Sequence, residues 1–273
     1  MTAIVTGVGQ PPIPSLQRVV HDGVALAFVE AGAGMPPVVL VHGLCDGLEV
    51  MEPLAERMSG GHRTVSIDLR GHGASDAPEG DYSVEALASD VAAVCDHLAI
   101  TGAITVGHSL GGAVAVQLAA SRPDLAAAVV MVDGALLFRE DVLDEVAPLF
   151  DAIHSPAWRE ALHGFVDGGF IATDDPTVRA AAHVRVDALT RHAMVSAFDS
   201  AGNWDAEPAL RACRMPMLYI NSGSDLADLD LLPALCPQVE LGRTVGVGHN
   251  QMLASPAQVA AMIDRFVSVH VTR

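Results

Sequence analysis

Short runs that are almost wholly apolar recur along the first half of this 273-residue chain, and they constrain its fold more than any other feature. Val38 to Val41 reads VVLV, and Thr64 to Ile67, Ile104 to Val106 and Ala128 to Val132 are runs of the same kind. A strand with one wet face alternates with period two, whereas a strand buried on both faces is apolar throughout. Val84 to Leu98 and Leu110 to Ser121, both rich in alanine, stand between these runs and suit helices. Strand signals return at Met217 to Ile220 and from Val239 to Val247. A last helix starts at Pro256, with Ser255 as its N-cap. Strands alternating with helices predict an α/β fold, a mostly parallel sheet covered on both faces.

Between the strand that ends near Asp133 and the one at Met217 the texture changes. Residues 135–205 hold Phe138, Phe150, Trp158, Phe165, Phe170, Phe198 and Trp204, which are five of the seven phenylalanines and both tryptophans. Pro148, Pro156, Gly168-Gly169 and Pro176 interrupt the stretch. It reads as a helical insertion that splits the chain into residues 1–134, 135–205 and 206–273. Ligands of parallel sheets bind outside the carboxyl ends of the strands. An aromatic insertion there is expected to roof a pocket, with Phe138, Trp158, Phe165, Phe198 and Trp204 as lining candidates. The alternative is a helical layer that only packs.

Acidic residues outnumber basic ones, with Asp+Glu 33 against Lys+Arg 15 and a net charge of −18. Nucleic acid is not expected as a partner, because a polyanion needs a basic surface. A membrane surface is disfavoured for the same reason. The chain contains no lysine, which excludes a Schiff-base lysine, a pyridoxal-phosphate anchor and a Walker-A loop. No histidine or cysteine spacing suits a metal, so neither metal nor cofactor is expected. Cys45, Cys95, Cys213 and Cys236 are too few and too scattered for a disulfide scaffold. With no basic, apolar leader at the N-terminus, these features point to a cytoplasmic protein.

The chemistry is expected at Gly107-His108-Ser109-Leu110-Gly111-Gly112, between a strand and a helix. Gly-x-Ser-x-Gly in that setting is a nucleophile elbow, a tight turn that lifts a serine hydroxyl above the sheet. Serine needs a base. His249 follows the last strand signal in Val247-Gly248-His249 and comes after the serine in chain order. The base needs an acid to hold its tautomer. Asp225, after Met217 to Ile220, is the first candidate, and Asp133, at the end of Ala128 to Val132, competes with it. Asp228 and Asp230 suit a helix cap better. The oxyanion requires two N–H donors. Leu110 follows the nucleophile and supplies one. Leu44, made accessible by the bend at Gly43 in His42-Gly43-Leu44-Cys45, supplies the other. Cys45 is read as a pocket-lining thiol.

These motifs, together with Asp68-Leu69-Arg70-Gly71-His72-Gly73-Ala74-Ser75, resemble the α/β-hydrolase superfamily over nearly the whole chain. The resemblance implies an eight-stranded, mostly parallel sheet with helices on both faces and a helical cap after strand 6. It implies a triad of Ser109, Asp225 and His249. Serine at the elbow, where dehalogenases and epoxide hydrolases carry aspartate, narrows the reaction to acyl transfer to water. The expected partner is a small-molecule ester-like substrate, a small or medium apolar carboxylic ester or lactone. The alternatives are a C–C bond hydrolase of the same fold, whose acidic substrate Arg139, Arg159, Arg179, Arg185 or Arg191 would bind, and a small-molecule receptor that keeps the triad.

Overall fold

Eight strands form one sheet in the order β1-β2-β4-β3-β5-β6-β7-β8. The computed structural model describes residues 15–223 and 227–271. The strands are β1 (Gln17–His21), β2 (Val24–Ala31), β3 (Val38–Val41), β4 (Thr64–Ile67), β5 (Ala103–His108), β6 (Ala126–Val132), β7 (Met217–Asn221) and β8 (Val239–Arg243). From β4 to β8 every neighbouring pair is parallel, while β1/β2 and β2/β4 are antiparallel. The first two strands were not identified from the sequence. They form a hairpin whose two-residue turn, Asp22-Gly23, has both φ angles positive at 48° and 82°. Asp-Gly favours that turn, so a local signal was present. The strand expected from Val239 to Val247 ends at Arg243.

Eleven α-helices accompany the sheet among the described residues. They are α1 (Glu52–Met58), α2 (Val84–His97), α3 (Leu110–Ser121), α4 (Glu140–His154), α5 (Trp158–Gly168), α6 (Pro176–Ala188), α7 (Arg191–Asn203), α8 (Ala206–Ala212), α9 (Leu232–Leu235), α10 (Gln251–Ala254) and α11 (Pro256–His270). The two faces of β3 show why its residues are all apolar. Val38 and Leu40 pack with Leu54 and Met58 of α1 and Val259, Ile263 and Phe266 of α11. Val39 and Val41 pack with Leu87 and Val91 of α2 and Val114 and Leu118 of α3. A strand with no wet face has no position for a polar residue.

Helices α4 to α7 lie in the insertion after β6. Their apolar faces are continuous with the sheet core at its carboxyl edge. Leu162, Val186, Ala193, Met194, Ala197 and Phe198 share one buried cluster with Leu44, Cys45, Leu69 and Leu110. The backbone N–H of Val84 also donates to Ser200 Oγ at 3.2 Å. The insertion therefore packs against the loops that leave β3, β4 and β5.

Candidate functional site

Parallel strands end together, so the residues that follow β3, β5, β6 and β7 meet at one edge. At the end of β5, Ser109 stands alone between strand and helix with φ 50° and ψ −118°. A side chain at positive φ costs of order 1–3 kcal/mol and persists only where the surroundings enforce it. Here the enforcement is close packing. A Cβ at Gly107 would lie 1.9 Å from Gly111 O, and one at Gly111 would lie 2.2 Å from Val41 O. Helix α3 starts at Leu110, so its first N–H groups have no partner one turn earlier and face the serine's edge.

His249 lies in the loop after β8, with its side chain partly exposed. Its Nδ1 is 3.0 Å from Asp133 Oδ2, and because a carboxylate only accepts, Nδ1 donates. Asp133 follows the last residue of β6, is fully buried and has φ 47°. The N–H of Ser222 donates to its Oδ1 at 2.8 Å, and the Ser222 hydroxyl donates to its Oδ2 at 2.5 Å. Burial pushes the Asp133 carboxyl up, but His249 and the Ser222 donors outweigh that and hold it below the usual carboxylate range. Among the described residues the acid that meets His249 is Asp133, which the sequence reading weighed as the competitor of Asp225. Asp225 lies outside the described residues. Asp133 follows a continuous apolar strand, as Ser109 does, and that shared position was the signal for it.

The loop after β3 is held from below by the Asp68–Ser75 segment. Asp68 Oδ1 accepts from Leu48 N at 2.7 Å and Oδ2 from Ala74 N at 2.8 Å. His42 Nε2 accepts from Leu69 N at 3.1 Å, so its Nδ1 carries the proton given to Gly43 O at 2.7 Å. His72 Nε2 accepts from Cys45 N at 3.3 Å while Nδ1 donates to Arg70 O at 3.0 Å. Both rings are neutral, with burial pushing each down to about 4. Leu44 sits between these two anchors and is buried. Its neighbour Cys45 is buried at φ 64°, and burial pushes its thiol up, which disfavours the thiolate.

The aromatic lining candidates fall differently. Phe198 is buried and packs edge-on against Phe150 and Phe165, with ring centroids 6.0 and 5.0 Å apart. Trp158, Phe165 and Trp204 are partly buried against the same cluster. Phe138 pairs with Ala227 in an isolated antiparallel bridge. The five insertion arginines all have local partners. Arg139 pairs with Asp141, and Arg159 reaches the carbonyls of Val186 and Asp187. Arg179 pairs with Asp167, Arg185 with Asp46 and Glu49, and Arg191 reaches His154 O. The contacts of Asp46 with Arg185 and of Ser222 with Asp133 were not anticipated from sequence, because no local pattern records them. Among the described residues, no group of three His, Cys, Asp or Glu side chains could hold a metal ion, and no helix is long and apolar enough to cross a membrane.

A family model described as alpha/beta hydrolase fold matches residues 36–161. The chain is 30% identical over 269 residues to a 2-(acetamidomethylene)succinate hydrolase of Mesorhizobium japonicum, an overlap of 92% of this chain and 94% of that protein. A crystal structure of E-2-(acetamidomethylene)succinate hydrolase is 27% identical with a TM-score of 0.76, over 94% of this chain and 100% of the other. An N-acyl homoserine lactone degrading enzyme has a TM-score of 0.80 at 24% identity, over 92% of this chain and 100% of its own, which is a likeness of fold.

Proposed function

Because the chain belongs to the alpha/beta hydrolase fold family, we propose that it is a serine hydrolase that cleaves a small or medium apolar carboxylic ester or lactone through an acyl-enzyme. Ser109 Oγ attacks the carbonyl. His249 takes the hydroxyl proton on Nε2 and returns it to the leaving oxygen. Asp133 holds the ring with Nδ1 protonated, which leaves Nε2 free to accept. The N–H groups of Leu110 and Leu44 donate to the oxyanion. Water then repeats the sequence on the acyl-enzyme. The observation that carries this reading is the His249 Nδ1–Asp133 Oδ2 bond of 3.0 Å at the sheet edge where the Ser109 elbow turns. A neutral substrate is supported by the insertion arginines, each of which already has a carboxylate or carbonyl partner.

The test combines a reactive probe with turnover. A fluorophosphonate should label the protein, and Ser109→Ala should abolish both the label and the hydrolysis of p-nitrophenyl esters. Label retained in Ser109→Ala would remove the assignment. One observation favours a second reading, since the relative that overlaps most of this chain is named for a succinate bearing an acetamido group. That compound belongs in the same assay. A kcat/KM for it well above that of every neutral ester would move the substrate class to acylamino dicarboxylates.

A further inference from the structure

Arg185 reaches from α6 across to the loop that follows β3. Its Nη2 is 3.3 Å from Asp46 Oδ1 and its Nη1 is 3.6 Å from Glu49 Oε1. The Arg185 and Asp46 side chains are only 17% and 12% exposed, whereas Glu49 is 49% exposed. Asp46 also faces the ring of His108, the residue before the nucleophile, with Oδ2 3.6 Å from Nδ1. That ring, and Arg185 after it, help hold the Asp46 carboxyl below the usual carboxylate range against its burial. His108 Nε2 donates to the carbonyl of His249 at 3.1 Å. Burial holds His108 neutral, and it holds the neighbouring His42 neutral as well. Arg185 is the neighbour of Asp46 that stays charged whatever the state of these rings.

The position of Asp46 makes this balance matter. A Cβ built on Gly43 would lie 3.2 Å from Asp46 Oδ2, 3.1 Å from Ser109 Cβ and 2.9 Å from His108 Nδ1. The carboxylate thus stands no more than about 6.3 Å from the nucleophile's Cβ, on the loop that carries the Leu44 N–H. Attack by Ser109 creates a second negative charge there. An unbalanced anion at that range, in partly desolvated surroundings, slows the reaction by up to about 100-fold.

We propose that Arg185 is a positioning residue acting through Asp46: it cancels the Asp46 field at the oxyanion and fixes the loop that donates to it. The proposal rests on the serine-hydrolase reading. It assigns the insertion a part in catalysis that does not depend on touching the substrate. Arg185 contributes charge, so its loss matters only while Asp46 is ionised.

A double-mutant cycle on ester turnover tests this, with melting temperatures confirming that each protein is folded. Arg185→Gln should lower kcat by about 10- to 100-fold with KM changed by less than about threefold. Arg185→Lys, which keeps the charge, should stay within about fivefold of the parent. In an Asp46→Asn background, adding Arg185→Gln should cost less than about threefold. If Arg185→Gln alone is too unstable to assay, Arg185→Met at the same position completes the cycle, with the same expected losses in the two backgrounds. An equal loss in both backgrounds would overturn the proposal and leave Arg185 as a packing contact. Turnover persisting in Ser109→Ala would overturn the serine reading and this inference with it. A Ser109-dependent reaction indifferent to the Asp46 background would overturn this inference alone.

Discussion

Asp133 Oδ2 accepts the Nδ1–H of His249 at 3.0 Å, joining the end of β6 to the loop after β8 across 116 residues of chain. The same oxygen takes the Ser222 hydroxyl at 2.5 Å, so the carboxylate is clamped from β7 as well. Replacing it with an amide offers His249 an N–H in place of an acceptor and favours the wrong tautomer. Asp133→Asn should lower kcat by about 10⁴ with little effect on KM. Asp225→Asn should cost far less. Steady-state kinetics on both variants checks the assignment, and the larger loss identifies the acid.

His72 Nε2 holds the N–H of Cys45 at 3.3 Å, one residue beyond the Leu44 donor. Without that acceptor, Cys45 has less to keep it at φ 64° and the Leu44 N–H loses its aim. His72→Ala should lower kcat by about 10-fold, below the 10²–10³ expected for deleting an oxyanion donor outright, because the donor remains but is less well placed. KM for the same ester should barely move. A loss confined to KM would show that His72 does not act through the oxyanion loop.

The parts of this molecule legible in its sequence are those where one residue type has one physical use. Val38 to Val41 could only be a strand dry on both faces, and Gly107 to Gly112 gave the elbow because no side chain fits at Gly107 or Gly111. His249 was legible as a polar residue in the loop after the last strand. Asp133 and Asp225 were not separable, because both follow strand signals in the sequence and no local pattern records which of them a histidine on another loop meets. The Arg185–Asp46 pair joins residues 139 apart, and no local pattern records a contact of that kind. The β1–β2 hairpin was legible only in its Asp22-Gly23 turn, because β1 is partly exposed and carries no continuous apolar run.

Two glycines separate folding from catalysis. A methyl at Gly107 would meet the Gly111 carbonyl at 1.9 Å, backbone against backbone, which nothing can relieve. Gly107→Ala should yield little soluble protein. A methyl at Gly43 would meet the side chains of His108 at 2.9 Å and Ser109 at 3.1 Å. Gly43→Ala should fold with a modest drop in melting temperature while losing most of its turnover, because the nucleophile itself must give way. Expression yield, thermal melting and kcat on the two variants check the contrast.

Burial pushes His42 and His72 down from 6.5 to about 4. Between those values the unfolded chain binds protons at both rings and the folded chain does not. Stability therefore rises with pH across that window and is lost as pH falls from about 6.5 toward 4. His108 is lowered in the same direction. The loss should reach, at most, about 3 kcal/mol per ring. Urea unfolding at a series of pH values should give a slope of about two protons or slightly more near pH 5. A flat profile from pH 6.5 to pH 4.5 would show that these rings titrate normally in the folded state.

Phe198 decides whether the aromatic insertion acts on substrate or only on stability. Its ring is buried and makes edge-on contacts with Phe150 and Phe165, and its neighbours on α7, Met194 and Ala197, enter the same cluster as Leu110 and Cys45. Two rings already pack edge-on against it, so its deletion should be felt first in packing. Phe198→Ala should destabilise the protein by about 3–5 kcal/mol, the usual cost of deleting a buried phenylalanine. It should leave the ratio of kcat/KM for a hexanoate ester to that for an acetate ester unchanged. Trp158 behaves differently, because its ring is only partly buried and carries the Arg159 guanidinium 4.3 Å from its centroid. Trp158→Ala should cost markedly less stability than Phe198→Ala. Measuring melting temperature and the ester ratio on both variants separates packing from recognition. A fall in the hexanoate preference of Phe198→Ala at unchanged stability would place that ring in the substrate pocket.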